Sequence, residues 1–315
     1  MITRNFRISK PYHYILIFVG LIGIYLYQRL KDHSGIQLVD FVIESAAFLF
    51  FLASMFLVVF IITKNKLTQK NSFAALYFFI FISLMPQTLA DHKIIIANGF
   101  ILLSYRRIFS LETKLNMKKK YFDAALWLSI ATLFYVWSVL YFIPLLVTII
   151  LRPNDWVKHL LVLVFGAGSA GLLVYLFVSV FGTPSSFLMF YPPKVNLGLF
   201  SHTPEVIKVS LAIISVMTIG SVLSLFSPLI LKNRKSRNNF IVLFLMLFTG
   251  LSISLLAVNM FVENMLFVFF PLAVIMANFT QYQRRSWLSD LFLTVLLFLV
   301  LLNLGLNIEN QISLY

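Results

Sequence analysis

Long apolar runs recur along the whole chain, with short polar stretches between them. Each run holds roughly 15 to 25 residues rich in Leu, Ile, Val and Phe, and apolar residues do not alternate with polar ones. Hydrophobic residues make up 60% of the 315 positions, more apolar surface than a soluble fold of this size can bury. Because every backbone polar group must be paired inside lipid, such runs predict helices rather than a membrane barrel. We therefore predict an all-α fold, a polytopic membrane helix bundle that forms a single integral membrane domain over residues 1–315.

The distribution of Lys and Arg predicts the orientation of this bundle. About 11 spanning helices fit the sequence, near residues 12–27, 40–63, 73–90, 94–109, 121–134, 138–151, 157–181, 206–231, 239–258, 265–281 and 287–305. With a cytoplasmic N-terminus, about 20 of the 25 basic residues fall on the inner side, where such charges are retained during insertion. The prediction is a multi-pass protein of the cell inner membrane, with a cytoplasmic segment 1–11, a basic cytoplasmic loop 105–120 and a Pro- and aromatic-rich outer loop 182–205.

The predicted orientation explains why the chain has a net charge of +14. The basic residues mark the cytoplasmic loops, so the expected partner is the lipid bilayer and not nucleic acid. One segment leaves the helix count open, because residues 121–151 can form one long tilted helix or two short ones that meet near 135–138. We favour two, since a single helix would place the later basic loops outside.

Acidic side chains gather on the predicted outer face. Asp32, Asp40 and Asp91 lie there, and His92 follows Asp91 directly. One interpretation is that these are ordinary charged residues flanking apolar segments. The other is a water-filled vestibule, in which a carboxylate acts as general base or orients a divalent metal ion and the histidine assists. No spacing typical of a metal site or of another cofactor site occurs, and the chain has no cysteine.

Other polar or small residues fit structural roles better. The run FGAGSAGLL at 165–173 lacks the strand that precedes a phosphate-binding loop, so close helix packing is expected. Asp123 is expected to pair with Lys119 or Lys120. Hydrogen bonds between helices are expected for Asn98, Asn259, Asn264 and Asn278.

Several stretches resemble known families. MITRNFRISKPYHYILIF, NGFILLSYRRIFSLETK and KKKYFDAALWLSIATLFYVWSVLYFIPLL look like an uncharacterised family of multi-pass inner-membrane proteins from Bacteroidota. The order of Pro86, Asp91 and Arg106-Arg107 is also similar to that in the GT-C glycosyltransferase superfamily, as is the segment ENMLFVFFPLAVIMANF. That resemblance implies a GT-C-like arrangement, a polyprenyl-phosphate sugar as ligand, and an acid in the first outer loop, here Asp32 or Asp40.

These observations lead to one main functional hypothesis and two alternatives. The main one is a GT-C-like glycosyltransferase, or a binder of a polyprenyl-linked saccharide, at the periplasmic face. Asp91 with Asp32 or Asp40 would activate the acceptor or hold a metal ion, His92 would assist, and Arg29 and Lys93 would contact phosphate. The alternatives are a noncatalytic subunit that scaffolds an envelope complex with another membrane protein, and, less favoured, a transporter. The sequence leaves open whether the protein is an enzyme.

Overall fold

The fold of the chain is helical throughout the part that the structure describes. The computed structural model describes residues 2–31, 38–151, 155–181, 205–225, 234–257, 261–283 and 286–312. Every regular element in these ranges is a helix. The α-helices are α1 (Ile2–Phe6), α2 (Pro11–Lys31), α3 (Leu38–Asn65), α4 (Phe73–Leu84), α5 (His92–Ser110), α6 (Met117–Phe134), α7 (Phe142–Ile150), α8 (Trp156–Phe181), α9 (Glu205–Leu225), α10 (Arg234–Leu256), α11 (Phe261–Asn264), α12 (Leu266–Tyr282) and α13 (Ser286–Ile312). Short 3₁₀ helices cover Pro86–Leu89, Leu111–Thr113 and Val136–Tyr141.

Five helices of the described part are long and apolar enough to cross a membrane. Their apolar portions are Pro11–Leu30, Val42–Asn65, His92–Thr113, Trp156–Leu176 and Arg237–Leu256. Five further apolar helices, in α4, α7, α9, α12 and α13, are shorter. The structure therefore agrees with a helical membrane protein. The outer loop predicted at 182–205 lies outside the described residues except for Glu205, the first residue of α9.

Two helices, α4 and α12, form the centre of the bundle. Every residue of α4 except Phe79 is buried, and so is every residue of α12 before Gln281. A helix that is apolar on all sides is stable only when other helices surround it. Accordingly α4 and α12 pack on each other, α2 and α13 pack on α4, and α9 and α10 pack on α12.

Proline 86 ends α4 inside the span predicted near 73–90 and turns the chain. The residue before a proline is driven towards extended backbone, and Met85 has φ −134° and ψ 69°. A 3₁₀ helix, Pro86–Leu89, follows, and α5 begins at His92. The turn brings the start of α5 next to the end of α2.

The prediction of two helices within 121–151 is confirmed. Helix α6 ends at Phe134, and Tyr135 adopts an extended conformation with φ −145° and ψ 105°. The 3₁₀ helix Val136–Tyr141 then leads into α7. The break places Tyr135 at a helix end rather than inside a continuous helix.

A proline inside α12 is compensated by a tyrosine from the broken segment. Pro271 has no N–H to donate to the carbonyl four residues earlier, that of Phe267. The Tyr141 hydroxyl donates to this carbonyl oxygen at 3.3 Å. Tyr141 is fully buried, so this hydrogen bond replaces the missing helical one where water cannot.

The glycine-rich run lies in α8 and packs as predicted at only one of its glycines. A Cβ on Gly166 would lie 2.6 Å from the carbonyl oxygen of Phe122 in α6. At Gly168 and Gly171 no atom lies within 4 Å of the position that a Cβ would take. Close packing of α8 on α6 therefore depends on Gly166, and the other two glycines face open space.

The predicted partner of Asp123 is wrong. Its carboxylate pairs with Arg107 of α5, with 2.7 Å between Nη2 and Oδ2. Lys120 instead donates to Ser110 and Thr113 in the connection that precedes α6. Helices α5 and α6 pack closely and run antiparallel across this short connection, so the nearest cation to Asp123 lies on the facing helix.

Candidate functional site

Polar side chains from six elements meet at one end of the bundle. We call this region the polar end and define it by Arg29, Glu44, Asp91, His92, Tyr135, Glu263 and Asn264. The α4–α5 turn forms its centre, because the 3₁₀ helix Pro86–Leu89 contacts α2, α5 and α11. Residues that are up to about 230 positions apart in the sequence are thereby brought together.

Asp91 caps α5. Its backbone is extended, and its Oδ1 accepts a hydrogen bond from the Lys93 N–H at 2.7 Å. A side chain in this position satisfies one of the N–H groups that the first helical turn leaves unpaired. The carboxylate also lies at the positive end of the helix dipole. Asp91 thus has a local structural role as well as a place in the candidate site.

His92 pairs with Glu44 of α3. Nε2 of His92 lies 3.5 Å from Oε1 of Glu44, and the two side chains are 27% and 29% exposed. The distance is longer than an ordinary hydrogen bond, and both side chains are partly exposed, so the pair contributes little to stability. Its consequence is positional, because it holds the imidazole of His92 beside a carboxylate.

Arg29 is buried at the end of α2. Its Nη1 donates to the carbonyl oxygen of Ala90 at 3.1 Å, and its guanidinium lies 5.2 Å from the ring centroid of Tyr25. The Tyr25 hydroxyl in turn donates to the carbonyl of Glu44 at 3.4 Å. Arg29 and Tyr25 therefore tie the end of α2 to both α3 and the α4–α5 turn.

Tyr135, Glu263 and Asn264 complete the polar end, and the sequence reasoning missed all three as site residues. The Tyr135 ring stacks on Phe267 with 5.6 Å between centroids. Burial raises the pKa of the Tyr135 phenol, as do the negative charges of Asp91 and Glu263. Burial and the Asp91 charge also raise the pKa of the Glu263 carboxyl. The signals available were the helix break at Tyr135 and the acid–amide pair that precedes the apolar helix α12.

The expected hydrogen bond between helices is confirmed at Asn278, whereas Asn259 lies outside the described residues. Asn278 donates to the carbonyls of Leu67 and Val274, at 3.0 and 2.8 Å, and so links α12 to the segment that follows α3. At Asn264 the amide lies beside the Tyr135 hydroxyl, but neither of its atoms makes a hydrogen bond of ordinary geometry in the described part of the chain. It is nevertheless completely buried.

Of the other predicted site residues, the structure brings Arg29, Asp91 and His92 together. Lys93 lies beside them on the exposed side of the first turn of α5. Asp32 lies outside the described residues. Asp40 belongs to α3, but its side chain is not among those described.

The divalent metal ion stays a prediction. Among the described residues no three His, Asp or Glu side chains are grouped closely enough to hold a metal ion. The proposed set included Asp32 and Asp40, whose side chains are not described, so this finding leaves that set untested.

An apolar groove reaches the polar end from the other side. Its volume is about 640 Å³, and it lies between α9 and α10, with α12 as its floor. Leu211, Leu251 and Phe269 are typical of its lining, and Lys208 of α9 is the one charged residue among the lining residues described. Phe261 and Met265, which flank Glu263 and Asn264 in the sequence, also line it. The groove and the polar end therefore meet at α11.

Comparisons with known proteins give a family and nothing more specific. A family model described as a family of unknown function, DUF6427, matches residues 7–310. No curated protein matches the chain, and no solved structure matches it.

Proposed function

Since the chain belongs to the DUF6427 family, whose function is unknown, we propose a function from the residues of the chain itself. We propose that it is an inner-membrane protein that binds a polyprenyl-linked saccharide at its periplasmic face. We also propose that it comes from Bacteroidota, because its sequence resembles inner-membrane proteins of that group. In this proposal the helices follow a GT-C-like arrangement, and the carboxylates of the polar end act on the bound saccharide. The observation that carries the proposal is the apolar groove that ends beside the polar end.

The proposal includes eleven spans with a cytoplasmic N-terminus. The five long apolar helices, the five shorter ones and α6 together make this number. Eleven spans require successive connections to alternate between the two sides of the membrane, and two hydrogen bonds support this alternation. Asp290 at the start of α13 accepts from Thr3 in α1, while Arg29 and Ala90 meet at the other end. The excess of Lys and Arg in the inner loops supports the orientation.

The orientation is directly testable because the chain has no native cysteine. A single cysteine at Lys93 is expected to react with a membrane-impermeant maleimide in intact spheroplasts. A single cysteine at Lys118 is expected to react only after the membrane is opened. The reverse pattern would refute both the orientation and the periplasmic site.

The groove suits a polyprenyl chain for two physical reasons. Its lining is apolar, so isoprenoid units can fill it without leaving polar groups unpaired. Lys208 lies among the lining residues and provides a positive charge for a phosphate. A lipid bound there would have its phosphate near Lys208 and its saccharide near α11.

Within this proposal the residues predicted from the sequence keep their roles. Asp91, with Asp32 or Asp40, activates the acceptor or holds a divalent metal ion, and His92 assists. Lys93 contacts phosphate from the exposed first turn of α5. Arg29 contacts phosphate through its guanidinium, which also donates to the Ala90 carbonyl.

The catalytic part is tested by two substitutions of Asp91. Asn caps helices as well as Asp does, so Asp91→Asn removes the charge but keeps the cap, whereas Asp91→Ala removes both. If Asp91 acts as a general base, Asp91→Asn lowers formation of the glycan product by about a hundredfold or more, at an unchanged protein level. Asp91→Ala additionally lowers stability by about 0.5–2 kcal/mol. Unchanged glycans with Asp91→Asn would refute the catalytic role.

A second candidate function is a noncatalytic subunit that scaffolds an envelope complex. The observation in its favour is that three of the residues predicted to act on the ligand already have structural partners. Asp91 caps α5, His92 pairs with Glu44, and Arg29 binds the carbonyl of Ala90. This candidate predicts that Asp91→Asn is tolerated and that a protein partner co-purifies from the membrane. Native purification followed by mass spectrometry of bound lipids and proteins separates the two functions.

A further inference from the structure

Tyr135 and Asn264 are buried polar side chains of the polar end that make no hydrogen bond of ordinary geometry within the described part of the chain. Asn264 has 0% exposure, and both its Nδ2 and its Oδ1 are without a partner in the described part of the chain. The Tyr135 hydroxyl is also buried without one. The two side chains lie beside each other, but they do not reach hydrogen-bond geometry. Buried amides and hydroxyls are nearly always paired, so these two indicate a place where a ligand supplies the partners.

Another buried asparagine, near the opposite end of α12, shows what a satisfied amide looks like. Asn278 is almost as buried as Asn264, and it makes three hydrogen bonds. Its Nδ2 donates to Leu67 and Val274, and its Oδ1 accepts from Gln281 at 2.7 Å. The bundle thus accommodates a buried asparagine where its role is structural, and Asn264 differs.

The groups around Asn264 favour a neutral ligand rich in hydroxyls. The carboxylates of Asp91 and Glu263 lie close enough to raise the pKa of Tyr135, and they would repel an anion. A hydroxyl can donate to a carboxylate or to an amide oxygen, and it can accept from an amide or from a phenol. A third buried acceptor without a described partner, Oε1 of Gln87, lies on the 3₁₀ helix that packs against α11. Vicinal hydroxyls of a sugar match this mixture of donors and acceptors.

We infer that Tyr135 and Asn264 form a binding subsite for the hydroxyl groups of a saccharide. The subsite holds the sugar of the lipid-linked ligand, so this inference rests on the proposed function. Its position supports the assignment, because Phe261 and Met265 on either side of Asn264 line the groove that would hold the lipid chain. Tyr135 and Asn264 then select ligands that bear a sugar over the bare lipid phosphate.

The test compares two probes on the purified full-length protein. One probe is a polyprenyl-phosphate-linked hexose, and the other is the same polyprenyl phosphate without sugar. Binding is measured for wild type, for Tyr135→Phe and for Asn264→Leu, which change hydrogen bonding at nearly constant volume. Each substitution is expected to weaken binding of the hexose-bearing lipid by about three- to tenfold, as for loss of a neutral hydrogen bond. Binding of the bare lipid is expected to stay unchanged.

A matched control and separate outcomes make the test decisive. Tyr175→Phe makes the same chemical change at an exposed position of α8 and is expected to alter neither affinity. If wild type binds both lipids equally, or if the two variants lose both equally, the saccharide subsite is refuted while lipid binding stands. If wild type binds neither lipid, the proposed function and the subsite are both refuted. Thermal unfolding of each variant identifies one that is merely misfolded, and the other variant then decides.

Discussion

The pairing of Tyr141 with the backbone of α12 gives the sharpest prediction about stability. Tyr141→Phe deletes only the hydroxyl that donates to the Phe267 carbonyl at 3.3 Å. Pro271 cannot supply another donor, because it has no N–H. The variant therefore leaves a fully buried carbonyl without a hydrogen bond.

The expected cost follows from the geometry and the environment. A distance of 3.3 Å lies at the long end for a bond between a hydroxyl and an oxygen, so this bond is a weak one. Side-chain hydrogen bonds inside membrane proteins contribute about 0.6 kcal/mol on average and about 1.7 kcal/mol at most. We expect Tyr141→Phe to lower the free energy of unfolding by about 0.5–1.5 kcal/mol.

A double-mutant cycle tests the proposed cause. Pro271→Ala restores an N–H that can bond to the Phe267 carbonyl, so it removes the need for the tyrosine hydroxyl. In that background Tyr141→Phe is expected to cost nearly nothing, which gives a coupling of about 0.5 kcal/mol or more.

The measurement is the unfolding of purified protein in detergent, by heat or by denaturant. A loss of about 1 kcal/mol corresponds to a fall of about 2 to 4 °C in the melting temperature of a protein near this size. Tyr175→Phe, at an exposed position of α8, serves as the control and is expected to change nothing. An equal loss with and without Pro271→Ala would refute the reasoning, because the hydroxyl would then act through a different partner.

Two further predictions concern helix packing and pH. Gly166→Ala is expected to lower the free energy of unfolding by about 1–3 kcal/mol, because its Cβ would meet the Phe122 carbonyl 2.6 Å away. Gly168→Ala, in the same helix but facing open space, should be neutral or stabilising, and equal losses in denaturant unfolding would contradict this assignment. The raised pKa of Glu263 means that the folded state favours the protonated carboxyl. The free energy of unfolding is therefore expected to fall as the pH rises above 4.5, the ordinary pKa of a glutamate carboxyl. Glu263→Gln is expected to make the melting temperature fall less steeply over the same pH range. An unchanged dependence of melting temperature on pH would contradict this role of Glu263.

Most of what could be predicted from the sequence depended on local signals. Backbone polar groups must be hydrogen-bonded within the protein when they lie in lipid, and long apolar segments satisfy this as helices. The composition alone therefore determined the fold class. Polar residues at 91–93 interrupt the apolar runs, so a break between the spans near 73–90 and 94–109 was predicted, although α4 itself ends earlier, before Pro86. The break near residue 135 was also predicted, from the charges that follow it.

The candidate site was predictable only in part, because it depends on which helices pack together. Asp91 and His92 are adjacent in the sequence and were recognised together. Tyr135 and Asn264 lie far apart in the chain, and the local signals, a helix break at one and an acid–amide pair at the other, do not show that the two side chains meet. The dependence on helix packing also explains Asp123. Its predicted partner lies one helical turn away on its own helix, and its actual partner, Arg107, lies on the facing helix.

The sequence by itself determined that this chain is a membrane-embedded helical protein, because the cost of unpaired backbone in lipid acts on every segment independently. Proline acts in the same local way, since it restricts the residue before it whatever the surroundings. Only the tertiary structure decided that Asn264 is buried without a partner while Asn278 is satisfied. That difference arises because a buried amide depends on the neighbours that packing places around it, and those neighbours come from distant parts of the chain.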